Sequence, residues 1–219
     1  MVALLVRVQA AEEALSFNMT LLNTTALVIF VRNPISGQVK TRLAKDIGDE
    51  RALEIYIQLL QHTLEITRSL SFRKFIYYAD EVSDYDLWSV PGYTKRKQNG
   101  NDLGERMHNS FKELFDQGFT RIIIIGSDCL QLQTENLEEA VGLLETNTAV
   151  LGPASDGGYY LLGLTKFYPE LFIDKPWSTD KVCSKTIVDF NNQGISYALL
   201  EELSDIDNVA DLEENGISI

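Results

Sequence analysis

The stretch Ile122-Ile123-Ile124-Ile125-Gly126-Ser127-Asp128-Cys129 decides the fold class. Four consecutive β-branched residues ended by a glycine predict a strand buried on both faces, as at the centre of a parallel sheet. Asp128 follows the carboxyl end of that strand. In open α/β sheets, ligands bind in the crevice outside these strand ends, so Asp128 could hold a cation or a polar ligand group. Capping of the next turn is the alternative explanation.

Segments with strand patterns and helix patterns alternate along the chain, with short polar joints. Apolar and β-branched runs predict strands over 26–31, 74–78, 93–98, 122–125, 149–151, 159–162 and 195–199. Helical spacing predicts helices over 49–68 and 180–192, one ending near Gly118, and one carrying Leu137, Val141 and Leu144. The alternation is typical of βαβ units. We therefore expect a three-layer α/β protein with a mainly parallel central sheet and helices on both faces.

The composition restricts the partners of the protein. Its 219 residues carry a net charge of −13, so most of the surface repels the phosphates of nucleic acid and of anionic membranes. Neither is expected as a partner. The two cysteines, Cys129 and Cys183, have no metal-binding spacing and predict a reduced, cytoplasmic setting. His62 and His108 fall in predicted helices with no nucleophile beside them, which argues against Ser-His or Cys-His catalysis.

Residues 1–22 are predicted to be an N-terminal extension, and residues 23–219 a single domain. The extension begins with an apolar run, which Arg7 and Glu12 interrupt before it reaches the length of a membrane span. It is either an added helix or a segment upstream of a start at Met19. The length of the rest is ordinary for one α/β domain.

The loop after the first predicted strand, residues 32–43, gathers cations in an otherwise acidic protein. Arg32, Lys40 and Arg42 stand there with a proline and a glycine. Backbone N–H groups, Lys and Arg can together bind phosphate oxygens, the Lys as a point charge and the Arg as a fork. The segment lacks the Gly-Lys-Ser/Thr sequence of a Walker loop. It indicates an anion site, with a solvated surface loop as the alternative.

A second polar loop, residues 98–107, follows another predicted strand. Asp102 precedes Glu105 by three positions, which resembles a helix capping box, and capping explains both carboxylates. Gln98 and Gly100 are candidates for contact with a base or ribose. Asp102 is a further candidate for nucleotide binding.

Two later loops carry candidate substrate contacts. In residues 152–160, the glycines Gly157 and Gly158 after Asp156 permit either close approach to a ligand or an ordinary turn. Trp177 stands beside hydroxyl residues at a predicted helix start, where helix capping would explain the hydroxyl groups.

Asp205-Ile206-Asp207 places two carboxylates one residue apart near the end of the chain. In an extended segment they would lie on the same side and could complete a metal site. The alternative is that both are simply solvated.

The order of the motifs along the chain is more specific than any one motif alone. They are Lys40-Thr41-Arg42-Leu43, Asp102-Leu103-Gly104-Glu105-Arg106-Met107, Gly126-Ser127-Asp128-Cys129, residues 152–163, Trp177-Ser178-Thr179 and Asp205-Ile206-Asp207. In this order they resemble the bacterial radical-SAM-associated or arsenosugar-biosynthesis glycosyltransferases, over about residues 25–212. Leu130 departs from the family pattern, which has a proline after Ser-Asp-Cys.

The resemblance implies a GT-A-like fold, that of the nucleotide-diphospho-sugar transferases. Asp128 would bind Mg²⁺ or Mn²⁺, which would neutralise charge on a diphosphate leaving group. Asp207, with Asp205 as a further candidate, would be a second acidic group near the metal. The remaining implied contacts are Lys40 and Arg42 with phosphates, Gln98 and Gly100 with base or ribose, and Asp156, Gly157 and Gly158 with acceptor or sugar. Asp128 and Asp156 are the expected catalytic residues.

The function expected from this resemblance is metal-dependent glycosyl transfer from a nucleotide sugar to a small-molecule acceptor. The Lys-Thr-Arg-Leu stretch also resembles the first loop of small nucleotidyltransferases, including phospholactate guanylyltransferases, whose basic loop holds a nucleoside triphosphate. Nucleotidyl transfer is therefore the alternative. A third hypothesis is a protein that binds a nucleotide without catalysis.

Overall fold

The structure, a computed structural model, describes residues 24–217. Within them seven strands form one sheet: β1 (Thr25–Val31), β2 (Arg73–Tyr78), β3 (Tyr93–Lys97), β4 (Arg121–Ile125), β5 (Ala149–Pro153), β6 (Tyr159–Leu164) and β7 (Tyr197–Leu199). Their spatial order is β3-β2-β1-β4-β6-β5-β7. β6 is antiparallel to both neighbours, and the other neighbouring pairs are parallel. The predicted mainly parallel sheet is confirmed. The predicted extension over residues 1–22 lies outside the described residues.

Helices pack on both faces of this sheet. They are α1 (Thr41–Ile47), α2 (Asp49–Arg68), α3 (Leu103–Asp116), α4 (Thr134–Leu143), α5 (Val182–Gln193) and α6 (Val209–Glu214), with a 3₁₀ turn at Pro169–Phe172. α2 has the predicted bounds, whereas α6 was not predicted, because in this short acidic segment the single buried side chain is that of Leu212. No helix within residues 24–217 is both long and apolar enough to cross a membrane.

β4 is buried on both faces, as its four isoleucines predict. Ile123 and Ile125 pack in one hydrophobic cluster with side chains of α2 and α4. Ile122 and Ile124 pack in another with side chains of α3 and α5. Each isoleucine is at most 4% exposed, and burial of one such side chain is worth about 1.5–3 kcal/mol. The strand therefore fixes the centre of the sheet.

The direction of chain progression reverses between β1 and β4. From β1 the chain proceeds outward to β2 and β3, and then returns to place β4 on the other side of β1. The connections that follow β1 and β4 therefore leave in opposite directions from adjacent carboxyl ends. A crevice forms at such a point, and it is the usual ligand site of an open α/β sheet.

Candidate active site

A cleft of about 1060 Å³ opens at the carboxyl ends of β1 and β4. The predicted site residues that line it are Lys40, Arg42, Gln98, Asp102, Asp128, Asp156, Gly158, Trp177 and Asp207. Gly100 and Gly157 belong to adjoining turns and are not among the lining residues. The fold thus brings together residues from six separate loops.

Lys40 connects the two carboxylates that were predicted to bind a metal. It precedes α1 with a left-handed backbone, φ 45° and ψ 43°, a conformation that costs free energy for a non-glycine residue. Its Nζ donates to Asp128 Oδ2 at 2.9 Å and to Asp207 Oδ1 at 3.0 Å. The Lys40 side chain is only 6% exposed, so its charge depends on these two partners.

These ion pairs set the protonation states at the centre of the cleft. Burial alone would lower the pKa of Lys40, but the charges of Asp128 and Asp207 raise that pKa above its usual value. Burial alone would raise the pKa of Asp128, but the charge and hydrogen bond of Lys40 hold it below its usual value. Lys40 is therefore protonated and Asp128 ionised at neutral pH.

The segment 205–207 is tied to the end of β4 through its backbone. Ile206 N donates to the carbonyl oxygen of Asp128 at 3.0 Å, and the Ile206 side chain is fully buried. Asp205 Oδ1 is buried and has no hydrogen-bond partner among the described residues. Burial, together with the nearby charge of Asp128, raises the pKa of Asp205 to about 8. Asp205 is thus a buried carboxyl group of the cleft that is mostly protonated at neutral pH.

The donor set fits a divalent ion that shares its coordination with a substrate. Among residues 24–217, no group of three or more His, Cys, Asp or Glu side chains forms a metal site by itself. Mg²⁺ in phosphate sites is commonly held by one or two carboxylates, while phosphate oxygens and water complete its octahedron. Asp128 and Asp207 supply two carboxylates, and the unpartnered Oδ1 of Asp205 adds an oxygen.

Arg42 lies at the rim of the cleft. Its Nη1 is 3.4 Å from Asp207 Oδ2, and its side chain is 71% exposed. Among the described residues that line the cleft, six are aspartates and four are lysine or arginine. A polyphosphate would therefore meet no excess of positive charge, which is a physical reason to expect that it binds together with a divalent cation.

The wall predicted to contact a base or ribose is held by internal hydrogen bonds. Gln98 Nε2 donates to the carbonyl oxygens of Val31 and Tyr77, and its Oε1 accepts from Arg106 Nη1 at 3.3 Å. Arg106 Nε donates to the carbonyl oxygen of Gly100 at 3.1 Å. The Gln98 amide thus fixes the position of this wall. Contact of Gln98 and Gly100 with a base or ribose stays a prediction.

Asp102 is the N-cap of α3, as its spacing to Glu105 predicts. Its Oδ1 accepts from the backbone N of Glu105 at 2.9 Å. Glu105 Oε2 accepts from the backbone N of Asn101 at 2.8 Å, one residue before the N-cap that a capping box would use. Asp102 therefore caps the helix and lines the cleft at the same time.

The turn between β5 and β6 brings Asp156 to the cleft. Asp156 Oδ1 accepts from the backbone N of Gly158 at 2.8 Å. Gly157 has φ +85°, and a Cβ on it would lie 2.2 Å from the carbonyl oxygen of Asp180, so only glycine fits. Close approach was predicted here as contact with a ligand. In the structure the approach of Gly157 is to the backbone of Asp180, whereas Asp156 and Gly158 face the cleft.

Trp177 belongs to an apolar part of the cleft. This part includes residues that the sequence did not assign to the site. Its indole packs on Gly104 so closely that a Cβ there would lie 2.2 Å from Nε1. Met107 lies one helical turn after Gly104, and its Sδ is 3.6 Å from the hydroxyl of Tyr159. Met107 and Tyr159 line the cleft, as does Leu103. Their sequence signal was ambiguous, because apolar and aromatic residues in regular elements are more often core residues.

Tyr56 is a second residue that the sequence did not assign to the site. Its hydroxyl accepts from the backbone N of Arg32 at 2.8 Å and lies 3.4 Å from Ser127 Oγ. The hydroxyl therefore joins the basic loop to the segment that carries Asp128. In the sequence, Tyr56 was indistinguishable from the other residues on the apolar face of α2.

Cys129 and the two histidines form no nucleophile and base pair. Burial raises the pKa of the Cys129 thiol to about 12, so the thiol is protonated at neutral pH. His62 Nε2 is bonded to the carbonyl oxygen of Leu132 at 2.8 Å. His108 packs edge-on against Phe167. Both histidines thus have partners of their own within the fold.

The family of the protein follows from a match over more than half of the chain. The model of a family described as uncharacterized proteins conserved in bacteria, DUF2064, matches residues 63–179. The chain belongs to this family. The matched part of the DUF2064 chain contains Asp102, Asp128, Asp156 and Trp177. Among curated proteins, none matches the sequence.

Solved structures share the fold of this DUF2064 protein. A protein from Desulfovibrio desulfuricans G20, provisionally described as a nucleotide-diphospho-sugar transferase, is 32% identical with a TM-score of 0.79, over 85% of this chain and 84% of that chain. The inositol-1-phosphate CTP transferase from T. maritima is 13% identical with a TM-score of 0.56, over 89% and 94%. CMP:2-keto-3-deoxy-manno-octonic acid synthetase, complexed with CTP, is 12% identical with a TM-score of 0.54, over 88% and 97%. The α/β fold is that of the nucleotide-diphospho-sugar transferases, as predicted.

Proposed function

We propose that this DUF2064 protein is a metal-dependent glycosyltransferase that uses a nucleotide sugar and a small-molecule acceptor. The observation that carries the proposal is the Lys40 ammonium held between Asp128 and Asp207 at the end of β4, within a large cleft. This arrangement supports the proposal, because a cation able to bind phosphate and two carboxylates able to hold a metal lie together at the ligand crevice of the sheet. The similarity to the D. desulfuricans protein favours a nucleotide sugar as the donor.

The proposed roles follow from the charges in the cleft. Lys40, protonated at neutral pH, would bind diphosphate oxygens as a point charge. Asp128 and Asp207 would hold Mg²⁺ or Mn²⁺, which when bound neutralises charge on the departing diphosphate. Arg42, at the rim, would contact the outer phosphate.

Asp156 is the proposed general base. In glycosyl transfer the acceptor oxygen attacks the anomeric carbon, while the bond from that carbon to the diphosphate oxygen breaks and a nucleoside diphosphate leaves. The acceptor hydroxyl loses its proton in the same reaction. Asp156 lines the cleft and keeps one oxygen fixed by Gly158 N, so its carboxylate is positioned to take that proton.

Nucleotidyl transfer is a second candidate function, favoured by the basic loop. Arg32, Lys40 and Arg42 all line the cleft, and three cations in one loop suit a triphosphate better than they suit a diphosphate. An acceptor phosphate would then attack the α-phosphorus, and pyrophosphate would leave. The association with radical-SAM proteins or arsenosugar biosynthesis, and the cytoplasmic location, stay predictions from the sequence.

A ligand panel separates these functions. Nucleoside triphosphates and nucleotide sugars would be tested with Mg²⁺ or Mn²⁺, first by thermal shift and then by product release. A ligand at about 100 times its Kd stabilises the folded protein by about 2.7 kcal/mol. Release of a nucleoside diphosphate from a nucleotide sugar supports glycosyl transfer, whereas release of pyrophosphate from a triphosphate overturns it. Binding without turnover supports a non-catalytic nucleotide-binding protein.

A further inference from the structure

The cleft has an aromatic and acidic end that is chemically distinct from its phosphate end. Trp177 and Tyr159 provide the aromatic surface. Asp102, Asp156 and Asp180 also line the cleft. Two contacts connect these residues. Asp102 caps α3, and Gly104 of the same helix contacts the Trp177 indole. The backbone of Asp180 packs on Gly157, in the turn that follows Asp156.

Most of the positive charge in the described lining of the cleft comes from the basic loop, residues 32–43. Among the described lining residues, the basic side chains are Arg32, Lys40, Arg42 and Arg106. The first three belong to the basic loop, and both Lys40 and Arg42 are paired with Asp207. Arg106 directs Nε and Nη1 to Gly100 and Gln98. A phosphorylated ligand on the indole would therefore be repelled by Asp102, which lies two residues before Gly104, and by Asp180, which lies three residues after Trp177.

The Trp177 indole is held in place before any ligand binds. One side rests on Gly104. Two residues before Trp177, the side chain of Lys175 is only 1% exposed, and its Nζ donates to Asp189 Oδ2 at 2.8 Å, which anchors this segment to α5. A ring positioned in advance loses little conformational freedom on binding, which favours its use as a contact surface.

We propose that this end of the cleft binds the acceptor, and that the acceptor is an uncharged polyhydroxy compound such as a sugar, stacked on Trp177. The apolar C–H face of a sugar ring suits the indole, and its hydroxyl groups can donate to the surrounding carboxylates, which only accept. The inference rests on the proposed function, because it takes the basic end as the site of the donor phosphates. It also discriminates between the two transfer reactions, since a nucleotidyltransferase acceptor would bring a phosphate to this acidic end.

Trp177 provides its own spectroscopic probe. The sequence has two tryptophans, and the other, Trp88, is buried and is not among the lining residues. In a Trp88→Phe background, emission therefore reports Trp177 alone. The protein, with a nucleoside diphosphate and Mg²⁺ present, would be titrated with neutral hexoses and myo-inositol, and with the monophosphates of the same compounds.

We expect a saturable change in Trp177 emission with at least one neutral compound, and affinity weaker by about tenfold or more for its monophosphate, which corresponds to about 1.4 kcal/mol. Equal or tighter binding of the monophosphates overturns the proposal. So does the absence of any response to the neutral compounds.

Calorimetric titration, which needs no tryptophan, should show that Trp177→Ala abolishes affinity for the neutral compound and that Trp177→Phe restores part of it. Tyr85→Ala is the matched control, because Tyr85 is 93% exposed and lies outside the lining residues. Retained binding of the neutral compound in Trp177→Ala contradicts the proposal. The thermal shift caused by the nucleoside diphosphate is measured on the Trp88→Phe protein. A thermal shift without a change in Trp177 emission refutes the acceptor site alone, whereas the lack of a thermal shift refutes the proposed function.

Discussion

Lys40 and Asp128 are joined by an ion pair of 2.9 Å between Nζ and Oδ2, although 88 positions separate them in the sequence. The same ammonium lies 3.0 Å from Asp207. The free protein thus offsets, with one ammonium, part of the negative charge of the two carboxylates proposed to hold a metal. Binding of a metal and a phosphate must rearrange these pairs, because two cations cannot share the same carboxylate oxygens without repulsion.

Asp128→Asn should preserve the fold and remove the metal dependence of nucleotide binding. Asparagine keeps the shape of the side chain but loses the charge, and the loss of a charge-assisted contact on a partly exposed group costs on the order of 1.5 kcal/mol. The check is the thermal shift by a nucleotide sugar with and without Mg²⁺. Asp84→Asn, on an exposed loop outside the cleft, serves as the control. Unchanged metal dependence in Asp128→Asn would refute the metal role.

Lys40→Met should weaken nucleotide binding and strengthen metal binding in the absence of nucleotide. The first effect removes a phosphate contact worth on the order of 1.5–3 kcal/mol. The second arises because Asp128 and Asp207 lose the ammonium that competes with the metal. Calorimetric titration with Mn²⁺, with and without nucleotide, measures both. Lys112→Met is the control, since Lys112 pairs with Asp116 on the exposed face of α3. A fall in Mn²⁺ affinity of the free Lys40→Met protein would contradict the competition.

The sequence predicted the strand that positions the site, because a buried strand is recognisable from a few consecutive residues. The four isoleucines required a strand buried on both faces, and the position of Asp128 at its carboxyl end followed from that strand alone. The placement of Asp207 near the metal that Asp128 would hold came from the family resemblance and could not come from spacing. It depends on Ile206 N donating to the carbonyl oxygen of Asp128, a contact across the fold that no local pattern encodes.

The roles of other residues were ambiguous in the sequence, because the same residue type can either contact a ligand or support the fold. Gln98 was expected at a base or ribose, yet its amide is bonded to Val31, Tyr77 and Arg106, and sequence cannot show which groups a buried amide will meet. The close approach of Gly157 is to backbone and not to open cleft, a distinction that needs the positions of both segments.

Gly104→Ala should displace Trp177. In an exposed helix interior, alanine is favoured over glycine by about 1 kcal/mol, but here the new Cβ would lie 2.2 Å from the indole Nε1. Overpacking of this kind costs about 1–3 kcal/mol, so we expect a net loss of stability and a change in Trp177 emission in the Trp88→Phe background. Gly142→Ala is the matched control, because a Cβ there meets nothing within 4 Å in helix α4. The control should be stabilised, and the same gain in Gly104→Ala would disprove the contact.

Asp189→Ala should destabilise the protein more than Lys175→Met does. Burial lowers the pKa of Lys175, so its charge is costly to bury, and removal of Asp189 leaves it without its carboxylate partner. Breaking a buried pair in this way costs about 3–5 kcal/mol. In Lys175→Met, by contrast, Asp189 keeps Lys185, with Nζ and Oδ1 3.0 Å apart. Urea unfolding at pH 7 measures the two losses, and equal losses would contradict the asymmetry.

The loss in Asp189→Ala should also shrink in acid. Burial alone would raise the pKa of Asp189, but Lys175 and Lys185 lower it below its usual value. The unfolded state therefore binds more protons near the usual carboxyl pKa of about 3.9, and stability rises with pH there. The contribution is present above that pH and is lost as the pH falls through the lowered pKa of the folded state. The urea midpoints of the unsubstituted protein and of Asp189→Ala are measured between about pH 7 and pH 3, and they should converge at the acid end. A difference that stays constant with pH would show that the charge of Asp189 does not cause the loss of stability.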